Sequence, residues 1–365
     1  MTRLTKYTIH LISGLLLALL TAGCVADRNV SDCITEGEDV ELEFALQVPA
    51  LETSLRQLSK DQEKQINSVQ VLVFNTEGIT DESQETLEDV ALVKSFATGT
   101  DGITRIRCGL KATAKKMRVV CIANYNCDAD SFKGKTKQLL FESMKKDFTA
   151  AWPTDGTLFI PMWGESDKQP ISRTTKFNSC EASTANNVNT TKDGNIHLVR
   201  ALARIDVGVN FDEKNVKDEE AKGGDFKIKS VRVYRYAQSM YVTGTQALTF
   251  RMDGNTREPL PHTPATMTPA NDNNPLVFEA KTADDAKGYV RNIYIPEISN
   301  QGKDWNARTC LVIGGDYNNS GKVTYYRVDF ITRDIKSPKD IITKQLDVLR
   351  NHRYRFNITK VAGPG

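Results

Sequence analysis

Histidine is scarce in this sequence, and the motifs of the common enzyme classes are missing. Only four histidines occur among 365 residues, and His10 lies in an apolar leader. His197, His262 and His352 are far apart, with no second histidine or cysteine at ligand spacing, so no metal site is predicted. Nucleophile-elbow, Walker A, dinucleotide-binding and H-E-x-x-H patterns do not occur. We therefore expect no enzyme, no cofactor and no bound metal.

An excess of charge of one sign is also missing. Lysine and arginine number 48 and aspartate and glutamate 46, which leaves a net charge of +2. A nucleic-acid-binding protein usually concentrates basic residues on one face. We therefore predict no nucleic-acid partner for this globular composition.

Long apolar runs are absent as well. The longest, Ile9–Leu20, has about a dozen residues, whereas a membrane-spanning helix needs roughly 20. Arg3 and Lys6 precede it, and Thr21-Ala22-Gly23-Cys24 follows it. This layout is typical of a secretory signal peptide.

Small residues directly before Cys24 indicate a lipoprotein signal, cut ahead of a cysteine that already carries a diacylglyceryl group. We predict a signal peptide at 1–23, lipidation of Cys24, with palmitate among its acyl chains, and a polar tether at 24–38. The acyl chains would hold the precursor at the cell outer membrane. The alternative is an ordinary signal peptide followed by a chance cysteine.

Six further cysteines leave the disulfide pattern open. Six thiols allow fifteen pairings after export. Two of the six, Cys108 and Cys121, lie in strand-like runs, where a buried free thiol is the commoner outcome. The six are Cys33, Cys108, Cys121, Cys127, Cys180 and Cys310.

Alternation of apolar and polar residues dominates the rest of the chain and predicts β-strands. The cleanest case is a run in which Val40, Leu42, Phe44, Leu46 and Val48 alternate with mostly polar residues. Only Lys137–Phe148 shows helical spacing, with Leu140, Phe141, Met144 and Phe148 on one face. Other strands are predicted at 69–74, 91–96, 103–110, 117–124, 157–161, 195–209, 226–236, 288–295, 309–317, 323–331 and 353–361.

Many short strands with turns between them predict a mainly all-β fold, with two tandem β-sandwich domains of transthyretin or immunoglobulin-like type and one short helix. The stretch 168–194, rich in Ser, Thr and Asn, is the predicted linker. The N-terminal sandwich would span 39–167, including a first strand at 40–48, and the C-terminal one 195–365.

Several segments together resemble the fimbrillin family, the type V pilus subunits of Bacteroides-like bacteria. They occur in order over nearly the whole mature chain. Apolar alternation explains most positions, but it does not explain the R-x-x-A-R and R-N-H-x-Y patterns. The segments are Ile160-Pro161-Met162-Trp163-Gly164-Glu165, Leu198–Val207, Tyr294-Ile295-Pro296-Glu297, Tyr325-Tyr326-Arg327-Val328 and Val348–Ile358.

The resemblance implies a maturation mechanism. A trypsin-like protease cuts after a basic residue in the loop that follows the first strand, and that strand leaves. A strand from another subunit then fills the groove. Here Val40, Leu42, Phe44, Leu46 and Val48 would form the removable strand, and cutting would convert a lipid-anchored precursor into a fimbrium that supports cell adhesion.

Arg56 is the predicted cleavage site because it lies in a polar stretch where proteases act. Lys60 is a lesser candidate in the same stretch, and Arg28 another in the tether; Arg56 could also be only a surface charge. The family's stalk subunits continue past the R-N-H-x-Y strand to supply the donor strand. Because this sequence stops at Gly365, it is expected either to be truncated or to accept a strand without donating one.

Two other functions are left open. One is a surface lipoprotein adhesin or glycan-binding protein that does not polymerise, with Trp152, Trp163 and Trp305 as candidate contacts, although Trp163 lies in a family motif and is expected to pack. The other is an anchor or tip subunit of the pilus, the anchor keeping both its lipid and its first strand.

Overall fold

In the computed structural model of the chain, residues 34–48, 63–178, 194–209, 226–244, 250–253, 256–259, 264, 266–280, 289–334 and 341–365 are described. They are mainly β, with sandwich-like packing of sheets and one α-helix among them, which confirms the predicted fold class. No helix in this part of the chain is long and apolar enough to span a membrane.

The strands, in chain order, are β1 Asp39–Gln47, β2 Val69–Asn75, β3 Thr86–Thr98, β4 Ile103–Lys111, β5 Thr113–Ala123, β6 Lys145–Asp147, β7 Met162–Glu165, β8 Gln169–Ile171, β9 Asn195–His197, β10 Val199–Arg200, β11 Leu202–Val209, β12 Phe226–Tyr234, β13 Ser239–Tyr241, β14 Phe250–Asp253, β15 Thr256–Pro259, β16 Leu276–Glu279, β17 Tyr289–Pro296, β18 Cys310–Tyr317, β19 Val323–Asp329, β20 Ile331–Asp334, β21 Ile341–Gln345 and β22 Arg353–Ile358. Helix α1 spans Lys137–Ser143. Three short 3₁₀ turns span Glu82–Gln84, Ala129–Phe132 and Trp305–Ala307.

The N-terminal sheet has nine strands and turns back on itself through the long strand β3. Its order is β10-β7-β5-β2-β3-β4-β1-β9, with β8 also paired to β5. Residues 86–91 of β3 pair with β2, and residues 92–98 pair with β4. Inward side chains of β1 and β4 therefore share one apolar core with those of β2 and β5.

Helix α1 covers the other face of this sheet. Leu140, Phe141 and Met144 are buried there against Phe74 and Trp163, and the Phe141 ring meets both aromatic neighbours edge-on. The helical spacing therefore predicted the right apolar face.

The C-terminal strands form two main sheets around one large core. The sheet β17-β11-β22 and the sheet β16-β12-β18-β19 contribute the inward side chains. Three aromatic or aliphatic residues from before the linker, Phe148, Trp152 and Ile160, join this core. The pairs β6–β13, β14–β15 and β20–β21 complete the described sheets.

Several predicted boundaries were wrong. The helix ends at Ser143 instead of Phe148, because Lys145–Asp147 pairs with β13 and the Phe148 amide donates to the Gln238 carbonyl. Residues 157–161 form no strand, and the predicted strand 195–209 is broken into β9, β10 and β11. Part of the predicted linker is structured, because β8 pairs with β5 and Phe177 is buried in the N-terminal core.

Candidate functional site

Strand β1 is the last strand but one of the N-terminal sheet, and among the described residues only its final three residues have a strand on both sides. It pairs antiparallel with β4 along all nine residues, and parallel with β9 through Ala45–Gln47. The Leu198 amide adds a hydrogen bond of 2.8 Å to the Gln47 carbonyl. If β1 were absent, β4 would lose a complete ladder of backbone hydrogen bonds.

The five alternating apolar residues of the predicted removable strand all point into the core. Val40, Leu42, Phe44, Leu46 and Val48 are between 0% and 6% exposed. The Phe44 ring meets Phe177 edge-on, with ring centroids 5.3 Å apart. Fully burying each such side chain contributes about 1.5–3 kcal/mol. The inward face of β1 is therefore a continuous part of the core.

The outward face of β1 carries carboxylates that pair with cations on β3 and β4. Asp39 pairs with Lys111 at 2.7 Å, and Glu41 pairs with Lys94 and with Arg107. The Glu43 carboxylate lies 3.5 Å from Arg107. Their side chains are close to half exposed or more, so each pair adds little stability.

The predicted processing residues flank this strand. Cys24 and Arg28 precede the first described residue, while Arg56 and Lys60 belong to 49–62; all four lie outside the described residues.

Glu63, the first described residue after 49–62, is held by the C-terminal half of the chain. Its carboxylate accepts from Arg204 Nη1 at 2.7 Å and from the Tyr294 hydroxyl. Its carbonyl accepts from Arg200 Nε at 2.9 Å. Burial, with the Glu63 carboxylate beside the phenol, raises the pKa of Tyr294 well above its usual value. We call Glu63, Arg200, Arg204, Asp206, Tyr294, Asn351 and Arg353 the Glu63 cluster.

The cluster brings together the two sequence patterns that alternation left unexplained. Arg200 Nη1 donates to Asn351 Oδ1 at 3.0 Å, and the Arg204 amide donates to the His352 carbonyl. Asp206 accepts from both Arg204 and Arg353. Burial alone would raise the pKa of Asp206, but the two guanidinium groups outweigh it and hold that pKa below its usual value.

Sequence reasoning missed Glu63 and Asp206 as members of this cluster. Arg204 and Asp206 are two residues apart on β11, which places them on one face, so the alternation offered a signal for that pair. No pattern in the sequence linked Glu63 to either of them.

The Met162-Trp163-Gly164-Glu165 motif has a structural explanation. A Cβ on Gly164 would lie 2.5 Å from the His197 carbonyl oxygen. Strand β7 can therefore pack this closely against β9 only when residue 164 is glycine. Glu165 accepts from Lys137 at 2.6 Å and from Arg118 at 3.1 Å inside the protein. Buried charges need such partners because desolvation is costly.

The remaining candidates are placed as follows. Cys108, Cys121 and Cys310 are buried free thiols and Cys127 is a half-buried one, whereas Cys33 and Cys180 lie outside the described residues. Trp305 is 46% exposed, as expected of a glycan contact. Trp152 and Trp163 are buried, so the prediction of Trp152 as a surface contact was wrong, and Trp163 packs as its motif suggested. No group of His, Cys, Asp or Glu in the described ranges could hold a metal ion.

The sequence profile of the family described as "Major fimbrial subunit protein (FimA)" matches residues 41–200. The resemblance to the fimbrillin family is confirmed. The matched segment runs from β1 to β10. It includes nearly all of β1 and the two strands that pair with it, β4 and β9. The description of that family is a fimbrial subunit.

Two solved structures have similar chains. One is the tip fimbrial protein Mfa3 from Porphyromonas gingivalis with a C-terminal truncation, at 16% identity and a TM-score of 0.49, over 87% of this chain and 94% of that one. The other is a fimbrilin (FimA) from Porphyromonas gingivalis W83, also at 16% identity and a TM-score of 0.49, over 91% and 92% of the two chains. No curated protein matches this sequence.

Proposed function

We propose that this protein is a structural subunit of a cell-surface pilus that polymerises by exchanging β1 for a strand of another subunit. The observation that carries the proposal is the position of β1, which pairs with β4 along its whole length and buries its four inward side chains together with Val48. Removing the strand would leave a groove between β4 and β9. An incoming strand could restore the backbone hydrogen bonds and fill the same side-chain sites.

In this proposal the lipid on Cys24 holds the precursor at the cell outer membrane until a trypsin-like protease cuts after Arg56. The lipid and β1 then leave together. Until that moment β1 keeps the edge of β4 covered, and an uncovered apolar edge would promote aggregation. The role is structural and supports cell adhesion, with no chemical step carried out by the chain.

The test uses the mature full-length chain and limited digestion with trypsin. Cleavage after Arg56 should give two fragments that remain associated, and a labelled peptide of residues 39–48 should then displace the N-terminal one. Mass spectrometry and fluorescence anisotropy measure the two steps. The Arg56→Gln variant should not be cut after residue 56, and a variant that also carries Lys60→Gln should be neither cut within 49–62 nor exchanged. If folded protein resists cutting throughout 49–62, or the nicked protein never takes up the peptide, the proposal is wrong.

A monomeric glycan-binding adhesin is the second candidate, and Trp305 favours it. The guanidinium of Arg327 lies 4.1 Å from the centroid of this exposed ring. Sugar binding that is lost in Trp305→Ala, by a chain that trypsin does not nick, would support this candidate over the pilus subunit. Purified pili that contain the chain with its Cys24 lipid intact would instead support an anchor subunit.

A further inference from the structure

Strand β1 alternates acidic with apolar residues along most of its length. Its first three outward positions are Asp39, Glu41 and Glu43, while its inward positions fill the core. Each of these three carboxylates meets a cation on β3 or β4, namely Lys111, Lys94 or Arg107. The site that β1 occupies in the sheet is therefore apolar on the side that faces the core and basic on the side that faces outward.

The backbone places Lys94 for this contact although its strand is not adjacent to β1. The register of β3 against β4 shifts between Val93 and Ser95, which leaves Lys94 in a bulge. Gly109, the β4 residue opposite Glu41, has no side chain, and the space where its Cβ would lie is open. Lys94 thus reaches Glu41 across the intervening strand.

Loss of β1 would remove the paired carboxylates from Lys94, Arg107 and Lys111 at once. Arg105, on the same strand as Arg107, would keep its partner, because Asp101 lies 2.7 Å away in the β3–β4 turn. Three cations without their β1 partners would then border an open apolar groove.

We infer that this groove selects an incoming strand with carboxylates at the outward positions of Glu41 and Glu43, and that Lys94 and Arg107 recognise them. The inference rests on the proposed strand exchange, and its partner is an extended segment of another subunit that alternates acidic with apolar residues. Half-exposed ion pairs add little affinity. Their main effect is on the association rate and on rejection of basic strands.

The test uses trypsin-nicked full-length protein, from which the N-terminal fragment that carries β1 has been removed just before mixing, and three labelled peptides of residues 39–48. One peptide is unchanged, a neutral one carries the substitutions D39N, E41Q and E43Q, and a basic one carries D39K, E41K and E43K. At about 0.01 M salt, where the Debye length is about 30 Å, the acidic peptide should associate about tenfold faster than the neutral one, and the lysine peptide slowest. At about 1 M salt the rates should converge.

Protein variants test whether Arg107 causes the difference in association rate between the acidic and the neutral peptide. Arg107→Gln should slow the acidic peptide roughly threefold and leave the neutral peptide unchanged, since one arginine contacts both Glu41 and Glu43. The control Lys322→Gln removes an exposed cation in the β18–β19 turn and should change neither rate. Equal low-salt rates for all three peptides would overturn the inference while strand exchange stands. If no peptide enters the nicked protein, the proposed function fails with it.

Discussion

Arg204 Nη1 lies 2.7 Å from Glu63 Oε1, and this ion pair joins two residues that are 141 positions apart in the chain. The Tyr294 hydroxyl donates to the same carboxylate oxygen. Ile66, three residues further on, is buried in the N-terminal core. Glu63 is therefore held by residues of the C-terminal half of the chain, and these contacts do not involve β1.

Replacing Glu63 by alanine should destabilise the folded chain. The change leaves Arg204 without one of its two carboxylates in a largely buried setting. Breaking a buried pair from one side costs about 3–5 kcal/mol. We expect a loss near the lower value in urea unfolding, because Asp206 still pairs with Arg204. Glu279→Ala, at an exposed glutamate on β16, should stay close to wild type; equal losses in both variants would contradict the role of the cluster.

Asp206 should make the free energy of unfolding depend on pH. The pKa of Asp206 is lower in the folded chain than in the unfolded one. As the pH falls below the unfolded pKa, the unfolded state therefore binds more protons than the folded state does. The contribution is complete above an unfolded pKa of about 3.9 and is lost as the pH falls through the folded pKa. Asp206→Asn should lower stability at pH 7 and reduce the further loss between about pH 5 and pH 2. Asp128→Asn, at an exposed aspartate, is the control variant, and urea unfolding at each pH compares the two variants with the wild type.

Phe44→Ala should weaken the attachment of β1 more than any outward change on that strand. The substitution leaves a cavity beside Phe177, and large-to-small changes of this kind cost about 3–5 kcal/mol. In trypsin-nicked protein the N-terminal fragment should dissociate much faster, measured by anisotropy. Gln47→Ala, outward on the same strand, serves as the control. Similar dissociation rates for both variants would show that Phe44 does not anchor the strand.

Cys108 should report the departure of β1. It lies opposite Leu42 on β4 and is fully buried, and burial raises the pKa of its thiol to about 12. Since the thiolate is the reactive form, iodoacetamide should not modify it in the intact precursor. Release of β1 should allow labelling, and the 39–48 peptide should prevent it again. Peptide-resolved mass spectrometry provides the measurement, with the half-buried Cys127 as an unchanged internal reference.

Gly164→Ala should destabilise the chain by about 1–3 kcal/mol, because the new methyl group meets the His197 carbonyl and two apolar side chains. Gly109→Ala is the matched control, since its Cβ would enter open space on a neighbouring part of the same sheet. Thermal unfolding of both variants compares them directly. A stable Gly164→Ala variant would mean that β7 and β9 can separate without cost.

Local patterns predicted much of this architecture. Period-two alternation gave β1, β4 and β12 almost to the residue, because each strand buries one face only. The helix prediction overshot because Phe148 continues the spacing of Leu140 and Met144. Pairing of Lys145–Asp147 with β13, almost 100 residues later, overrides that local preference and sends Phe148 into the other core.

The inward face of β1 was determined by the sequence alone, since a strand with five alternating apolar residues has only one face to bury. The basic residues that pair with the outward face of β1 were brought there by the tertiary structure. Lys94 meets Glu41 across β4 only when β1, β4 and β3 are paired in this register, and Glu63 meets Arg204 only when the N-terminal and C-terminal sheets are both formed. A pattern records which residues share a face; the partners across that face come from distant segments, and only the folded chain brings them into contact.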